Sequence, residues 1–313
     1  MATNQLNGHK HTDKITAKCI YEHGDALNIL DLHKRKNFKL IITSPPYNVG
    51  KEYETRKSIE KYLKDQKQII TKLVELLDEN GSLCWQVGNY VDKAKKEIFP
   101  LDIYYYEIFK DLGLKLRNRI IWHFEHGLHA SARFSGRYET ILWFTKGDNY
   151  TFNLDPVRIP AKYPGKRHFK GPNKGEISGN PLGKNPSDVW KIMMKEWERE
   201  IWDVPNVKSN HKEKTIHPCQ YPIELIERCI LAFTNEKDWI LDPFAGVGST
   251  LLAALKRNRN VVGIEKSKKY INIGEKRIEL LKEGKLNMRP IEQPIFVPSD
   301  KMAVARKPDY FLY

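Results

Sequence analysis

Two short stretches hold residues whose types and spacing could do chemistry. In the first, Ile42-Thr43-Ser44-Pro45-Pro46-Tyr47-Asn48, an apolar run delivers a hydroxyl, two prolines and an aromatic ring in succession. Proline fixes its φ and carries no N–H, and a residue before proline is pushed to extended geometry. The loop is therefore stiff, and its carbonyls have no regular ladder to join. With a flat ring directly behind them, they could grip a planar molecule that has an amino group to donate. Alone, the same residues could equally make a plain turn at a strand end.

In the second stretch, Asp242-Pro243-Phe244-Ala245-Gly246-Val247-Gly248-Ser249, glycines lie between a strand and a helix. They permit a tight turn and close approach of a ligand to the helix N-terminus. Glu265 follows at the end of the next strand, at the roughly 20-residue distance where an acid commonly takes ribose hydroxyls. GxGxxG fails because position 251 is Leu, and the GK[ST] of a P-loop is absent. Asp242 would repel a pyrophosphate placed over the loop. It suits a cationic or zwitterionic ligand that carries adenosine, and S-adenosyl-L-methionine has both an ammonium and a sulfonium. A dinucleotide of the NAD type remains open on spacing alone.

The elements that must position these loops follow from apolar periodicity. Strands are expected at Lys18 to Ile20, Phe38 to Ile42, Ser82 to Val87, Arg119 to Phe124, Tyr138 to Phe144, Trp239 to Leu241 and Val261 to Ile264. Helices are expected at Ala26 to His33, Ser58 to Asp78, Pro100 to Leu112, Ile223 to Phe233, Ser249 to Lys256 and Tyr270 to Leu281, with Asn80-Gly81 ending the second. Strands alternating with helices predict an α/β fold, a doubly wound, mostly parallel sheet. Between residues 150 and 210, prolines and glycines crowd among Lys162, Lys166, Arg167, His168, Lys170, Lys174 and Lys184. That stretch is expected to be an irregular basic insertion that meets a polyanion; a disordered basic linker is the alternative.

Composition sets the outer bounds. The chain has 313 residues, enough for a full core, with 53 Lys+Arg against 39 Asp+Glu and a net charge of +14. Such an excess favours a polyanionic partner, although surface solubility alone would also explain it. No apolar run reaches the roughly 18 residues of a membrane helix, and the polar start suggests no signal peptide. The expectation is a cytoplasmic protein without a membrane partner. Cys19, Cys84, Cys219 and Cys229 have no CxxC spacing and are expected to be buried free thiols.

The two loops, in this order, resemble the motifs of the bacterial DNA methyltransferases that methylate amino groups, in the permuted arrangement called the beta class. Thr43-Ser-Pro-Pro-Tyr47 is similar to the catalytic motif of that family, and Asp242 to Thr250 to its cofactor motif. The likeness runs from about Cys19 to Leu281. It implies a Rossmann-like, S-adenosyl-L-methionine-dependent methyltransferase fold, with Asp25 reaching the cofactor's adenine and Glu265 its ribose. His217-Pro218 resembles the segment that packs against the methionine end. The implied cofactor-binding set is Asp25, His217, Asp242, Pro243, Phe244, Gly246, Gly248, Ser249 and Glu265. The catalytic domain would comprise residues 15–149 and 211–285, with target recognition in 150–210, a leader in 1–14 and a tail in 286–313. Double-stranded DNA is the implied partner, with a cognate restriction endonuclease encoded nearby as a further implied one; the chain would be a monomer or homodimer.

An exocyclic amino nitrogen is a poor nucleophile because its lone pair is delocalised into the ring. Ser44 and a carbonyl beside Pro45 or Pro46 could accept the amino protons, while Tyr47 stacks on a base flipped from the duplex. Methylation at a ring carbon would need a cysteine nucleophile, and His217-Pro-Cys-Gln220 lacks the Pro-Cys pairing of that chemistry. Within the family, Ser44 resembles the cytosine-N4 form of the motif, and Asp or Asn there the adenine-N6 form; cytosine is favoured. A vestigial, non-catalytic nucleic-acid-binding protein and an RNA or protein methyltransferase remain alternatives. Arg133 and Arg137 could hold phosphates of the flipped strand, as could Lys162, Lys166, Arg167, Lys170 and Lys174. His123, His126 and His129 match no zinc spacing, so no metal is expected.

Overall fold

A computed structural model describes residues 15–34, 36–52, 54–92, 95–124, 129–161, 163–190, 207 and 211–289. The expected leader, Lys162, His126 and the tail from residue 290 lie outside the described residues.

In chain order the elements begin with β1 (Cys19–His23), α1 (Ala26–Ile29), β2 (Phe38–Thr43), α2 (Ile59–Leu76) and β3 (Leu77–Val87). A short hairpin, β4 (Asn89–Asp92) and β5 (Glu97–Pro100), leads into α3 (Leu101–Asp111), β6 (Lys115–His123) and β7 (Tyr138–Thr145). The two-residue β8 (Val189–Trp190) follows, then α4 (Ile223–Phe233), β9 (Trp239–Asp242), α5 (Ser249–Lys256), β10 (Asn260–Glu265) and α6 (Lys268–Lys282). Eight strands form one sheet in the order β1-β10-β9-β2-β3-β7-β6-β8. The first five are mutually parallel, β7 is antiparallel to both its neighbours, and β8 is parallel to β6.

The sequence dictates this arrangement locally. β2 (FKLIIT) is almost wholly buried, as a central parallel strand covered on both faces must be. Leu40 and Ile42 pack with α4 and α5 on one side, whereas Ile41 packs with α2 and α3 on the other. Ser58 caps α2 by accepting from the Lys61 N–H, and Tyr62, Ile70, Leu73 and Leu76 bury its inward face. The result is the expected doubly wound α/β sheet, with helices on both faces.

One expectation needs correction. Asn80-Gly81 does not end a helix: α2 stops at Leu76, Leu77 is already extended, and β3 runs through both residues. Tertiary pairing overrides the local signal here. A Cβ on Gly81 would meet the Phe38 carbonyl at 3.0 Å, so glycine serves close strand approach where the β2–β3 register shifts. The described part of the basic insertion is irregular, as expected. Backbone bonds from the His168 N–H to Glu176 (2.9 Å) and from the Ser178 N–H to Lys166 (2.8 Å) close residues 163–178 into a hairpin-like excursion. The glycines and prolines supply its turns, and Val189–Trp190 joins the sheet edge.

Candidate active site

β2 and β9 lie side by side, with Leu40 opposite Ile240 and Ile41 opposite Leu241. They mark the point where the sheet order reverses, so the loops leaving their C-terminal ends must open into one crevice. That crevice is a cleft of about 1120 Å³, lined by Ser44, Pro45, Pro46 and Tyr47 from the first loop and Pro243, Phe244, Gly246 and Ser249 from the second. Asp25, His217 and Glu265 line it too. Its volume exceeds the upper end of the roughly 300–1,000 Å³ of drug-sized ligand sites, and so gives room for two molecules.

Asp242 is not on the cleft wall, contrary to expectation. It is 0% exposed, and its carboxylate ties the two loops together from beneath. Thr43 Oγ1 donates to Oδ1 at 2.6 Å and the Phe244 N–H at 3.0 Å, while Tyr221 OH (2.7 Å) and Thr250 Oγ1 (2.5 Å) donate to Oδ2. Burial raises its pKa against these hydrogen bonds. No ligand ammonium can reach oxygens so enclosed, so the residue's role is to hold the loops in register. Gly248 also lies behind the wall, at the start of α5.

One side of the cleft is built on backbone donors. Glu265 accepts from the N–H groups of Gly246 (3.0 Å) and Ser267 (2.7 Å), and burial raises its pKa. Its oxygens keep further lone pairs for ligand hydroxyls. Asp25 caps α1 through the Leu27 N–H (3.0 Å) and pairs with exposed Lys266 at 3.3 Å. Gly246 has φ +54, and a Cβ there would come within 3.2 Å of His217 Nε2, so only glycine lets the loop pass under that ring. His217 Nδ1 accepts from the Cys219 N–H at 3.2 Å, which fixes the Nε2–H tautomer. Burial and nearby Lys214 hold its pKa down to about 4, so the ring is neutral. Its ring packs at a tilt against Tyr270, with centroids 4.5 Å apart, and the Tyr270 hydroxyl donates to Glu52 beyond Tyr47. Ser249 Oγ is buried on this wall with no hydrogen-bond partner among the described residues, which leaves it open to a polar ligand atom. Neutral His217, two carboxylates and this hydroxyl form a donor set that fits a cationic nucleoside.

On the opposite side, hydroxyl protons run in one direction. Ser44 Oγ lies 2.9 Å from Tyr47 OH, which donates to Glu139 Oε2 at 3.3 Å; Gln86 Nε2 donates to the same oxygen. Burial raises the Tyr47 pKa, so the phenol stays protonated. With Tyr47 donating to Glu139, its oxygen accepts from Ser44 and leaves the serine lone pairs facing the cleft. The Pro46 carbonyl is taken by Tyr62 OH (2.7 Å), itself 2.6 Å from Tyr105 OH. Beyond Tyr47, Glu54 accepts from the N–H groups of Asn48 (2.8 Å), Val49 (2.8 Å) and Gly50 (3.1 Å). Asn48, at φ 60, is bonded through its side chain to both backbone polar groups of Lys57.

The loop residues Ser44 to Tyr47 and the acids Asp25 and Glu265 thus line one cleft. Glu54, Tyr62, Gln86, Glu139 and Tyr221 escaped sequence reasoning because their partners are mostly remote: Glu139 meets Tyr47 from 92 residues away. Only Glu54, six residues from Asn48, was within local reach. Of the basic residues, Arg133 lines the cleft's lip, while Arg137 stands just outside it. Lys166, Arg167, Lys170 and Lys174 are exposed on the hairpin, away from the cleft, and Arg167 donates to the Gly175 carbonyl at 2.6 Å. Cys84 and Cys229 are buried, but Cys19 is half-buried and Cys219 is exposed on the cleft wall, against expectation; all four are free. No cluster that could hold a metal is found among the described residues, and no described helix is long and apolar enough to cross a membrane.

Comparison with known proteins gives this geometry a family. A family model described as DNA methylase matches residues 38–276. The type II methyltransferase M.BglII of Bacillus subtilis is 48% identical over 250 residues, covering 80% of this chain and 66% of that protein. M.ScaI of Streptomyces caespitosus is 34% identical over 270 residues, 84% of this chain and 82% of its own length. Among solved structures, a putative DNA modification methylase of Thermus thermophilus, complexed with S-adenosyl-L-methionine, superposes with a TM-score of 0.59 at 25% identity, covering 86% of this chain and 97% of that one. The matched span contains both loops and the two central strands that carry them, and the chain belongs to this family of DNA amino-methylases.

Proposed function

We propose that this protein is a site-specific methyltransferase that uses S-adenosyl-L-methionine to methylate the exocyclic amino group of a flipped base in double-stranded DNA, with cytosine N4 as the target. The observation that carries this reading is that one cleft is lined both by Ser44 and by the acids Glu265 and Asp25. When bound, the cofactor supplies an electrophilic methyl group on a sulfonium. Asp25, Ser249 and Glu265 would hold its polar groups, with neutral His217 and Phe244 packed against it. Ser44 Oγ and the Pro45 carbonyl would accept hydrogen bonds from the two amino N–H groups and free the nitrogen lone pair to take the methyl group, the N–C bond forming as the S–C bond breaks and one amino proton then leaving to solvent. The Pro46 carbonyl is less suited, since Tyr62 already donates to it. Tyr47 would stack on the base, its hydroxyl held by Ser44 and Glu139.

Cytosine is favoured because Ser44 stands at the head of the loop; a carboxylate or amide in that place marks the adenine form of the motif. The same hydroxyl can accept from adenine N6, which makes adenine the second reading. A type II modification role, protecting DNA from a cognate endonuclease, is proposed from likeness to M.BglII and M.ScaI. The test is radiolabelled methyl transfer to plasmid DNA, with RNA and protein in parallel, followed by digestion to nucleosides. Label in N4-methylcytosine is expected. Label in N6-methyladenine would overturn the base assignment, and no label in DNA would overturn the function.

A further inference from the structure

Residues 129–137 lead into β7 beside the mouth of the cleft. Arg133 and Gly136 line that mouth, and Tyr138 and Glu139 continue the wall inward to Tyr47. Phe134 stands in this segment and is 99% exposed. The ring is not there through a loosely held backbone. The Ala130 N–H donates to Ser135 Oγ at 3.1 Å, the Arg133 guanidinium to the Phe134 carbonyl at 3.1 Å, and the Phe124 N–H to the Arg137 carbonyl at 2.8 Å. The loop is tied on both sides of a phenyl ring that no described residue covers. Large aromatic side chains ordinarily bury most of their surface, so a ring held out by a fastened loop calls for a partner with an apolar slot.

We infer that Phe134 is a positioning residue that enters the stack of the duplex and fills the gap left by the flipped base. This rests on the proposed function, which requires the base to leave the helix. Extraction leaves a hole whose walls are the flat faces of two neighbouring base pairs. An aromatic wedge of this kind offsets the loss of stacking. Reach is adequate: Phe134 lies five residue steps before Glu139, and a fully extended chain of that length spans about 17 Å. Arg133 and Arg137 flank the ring on the same loop, placed to hold phosphates on either side of the opened step.

The test uses the full-length protein and duplexes carrying the site mapped by sequencing methylated plasmid. The target base is either correctly paired or placed opposite an abasic position, which removes its pairing in advance. Phe134→Ala is expected to lose about 10-fold or more in kcat/KM on the paired duplex. It should come within about 3-fold of the parent protein on the abasic duplex, with cofactor affinity unchanged. Phe134→Trp should retain activity on both. Equal loss on both duplexes, or no loss on either, would overturn the wedge. If the parent protein labels no DNA, the proposed function fails first, and the two failures are thereby separate.

Discussion

At the scale of single residues, Asp242 and His217 carry the sharpest expectations. Asp242→Ala would orphan three hydroxyls and an N–H beneath the loops, and should destabilise the fold by about 3 kcal/mol or more, read as a lower urea midpoint at constant m-value. Asp242→Asn should retain most of that stability, because hydroxyls can reverse direction to meet an amide. His217 is neutral in the folded protein, with a pKa of about 4 against an ordinary value of 6.5. The unfolded chain therefore takes up this proton first as pH falls. The contribution of His217 is complete above pH 6.5 and is lost progressively down to about pH 4, on the order of 3 kcal/mol in all. Urea midpoints measured across that window should fall with acid, and His217→Asn should flatten the limb. The residue types of Ser44-Pro-Pro-Tyr47, Glu265 and His217 were legible in the sequence because each motif is contiguous or at familiar spacing. The burial of Asp242 was not, since its Thr43 partner lies 199 residues away.

At the scale of elements, the bonds among Asn48, Glu54 and Lys57 brace the segment from Ser44 to Tyr47. Glu54 collects three consecutive N–H groups, and Asn48 clamps Lys57 from both sides. Glu54→Ala should slow single-turnover methylation about 10- to 100-fold while leaving cofactor affinity, measured by calorimetry, within about twofold. Helix and strand positions were legible because their apolar periods are local: α5 runs from Ser249 to Lys256, and α4 from Ile223 to Phe233, as the pattern predicts. The end of α2 was not, because Asn80-Gly81 looks like a helix stop, whereas Leu77 already pairs with Phe38 of the neighbouring strand. The β4–β5 hairpin gave no period long enough to see.

At the scale of the molecule, a net charge of +14 is concentrated in part on the hairpin with Lys166, Lys170 and Lys174. If these lysines meet phosphates, each change to Ala should reduce the slope of log affinity against log salt by about 0.9, with little change in base preference. The strand order has a further consequence, in time rather than space. Among the described strands β1 pairs with β10 alone, and β2 has β3 on one flank but waits for β9 on the other. Thr43 must await Asp242, 199 residues later in synthesis; at roughly 5–20 residues per second that is about 10 to 40 s. Throughout that interval the nascent chain offers an apolar strand with one open edge, a template for pairing with the wrong neighbour. A chain that stops short of Trp239 has made the loop proposed to do the chemistry and lacks the strand that holds it.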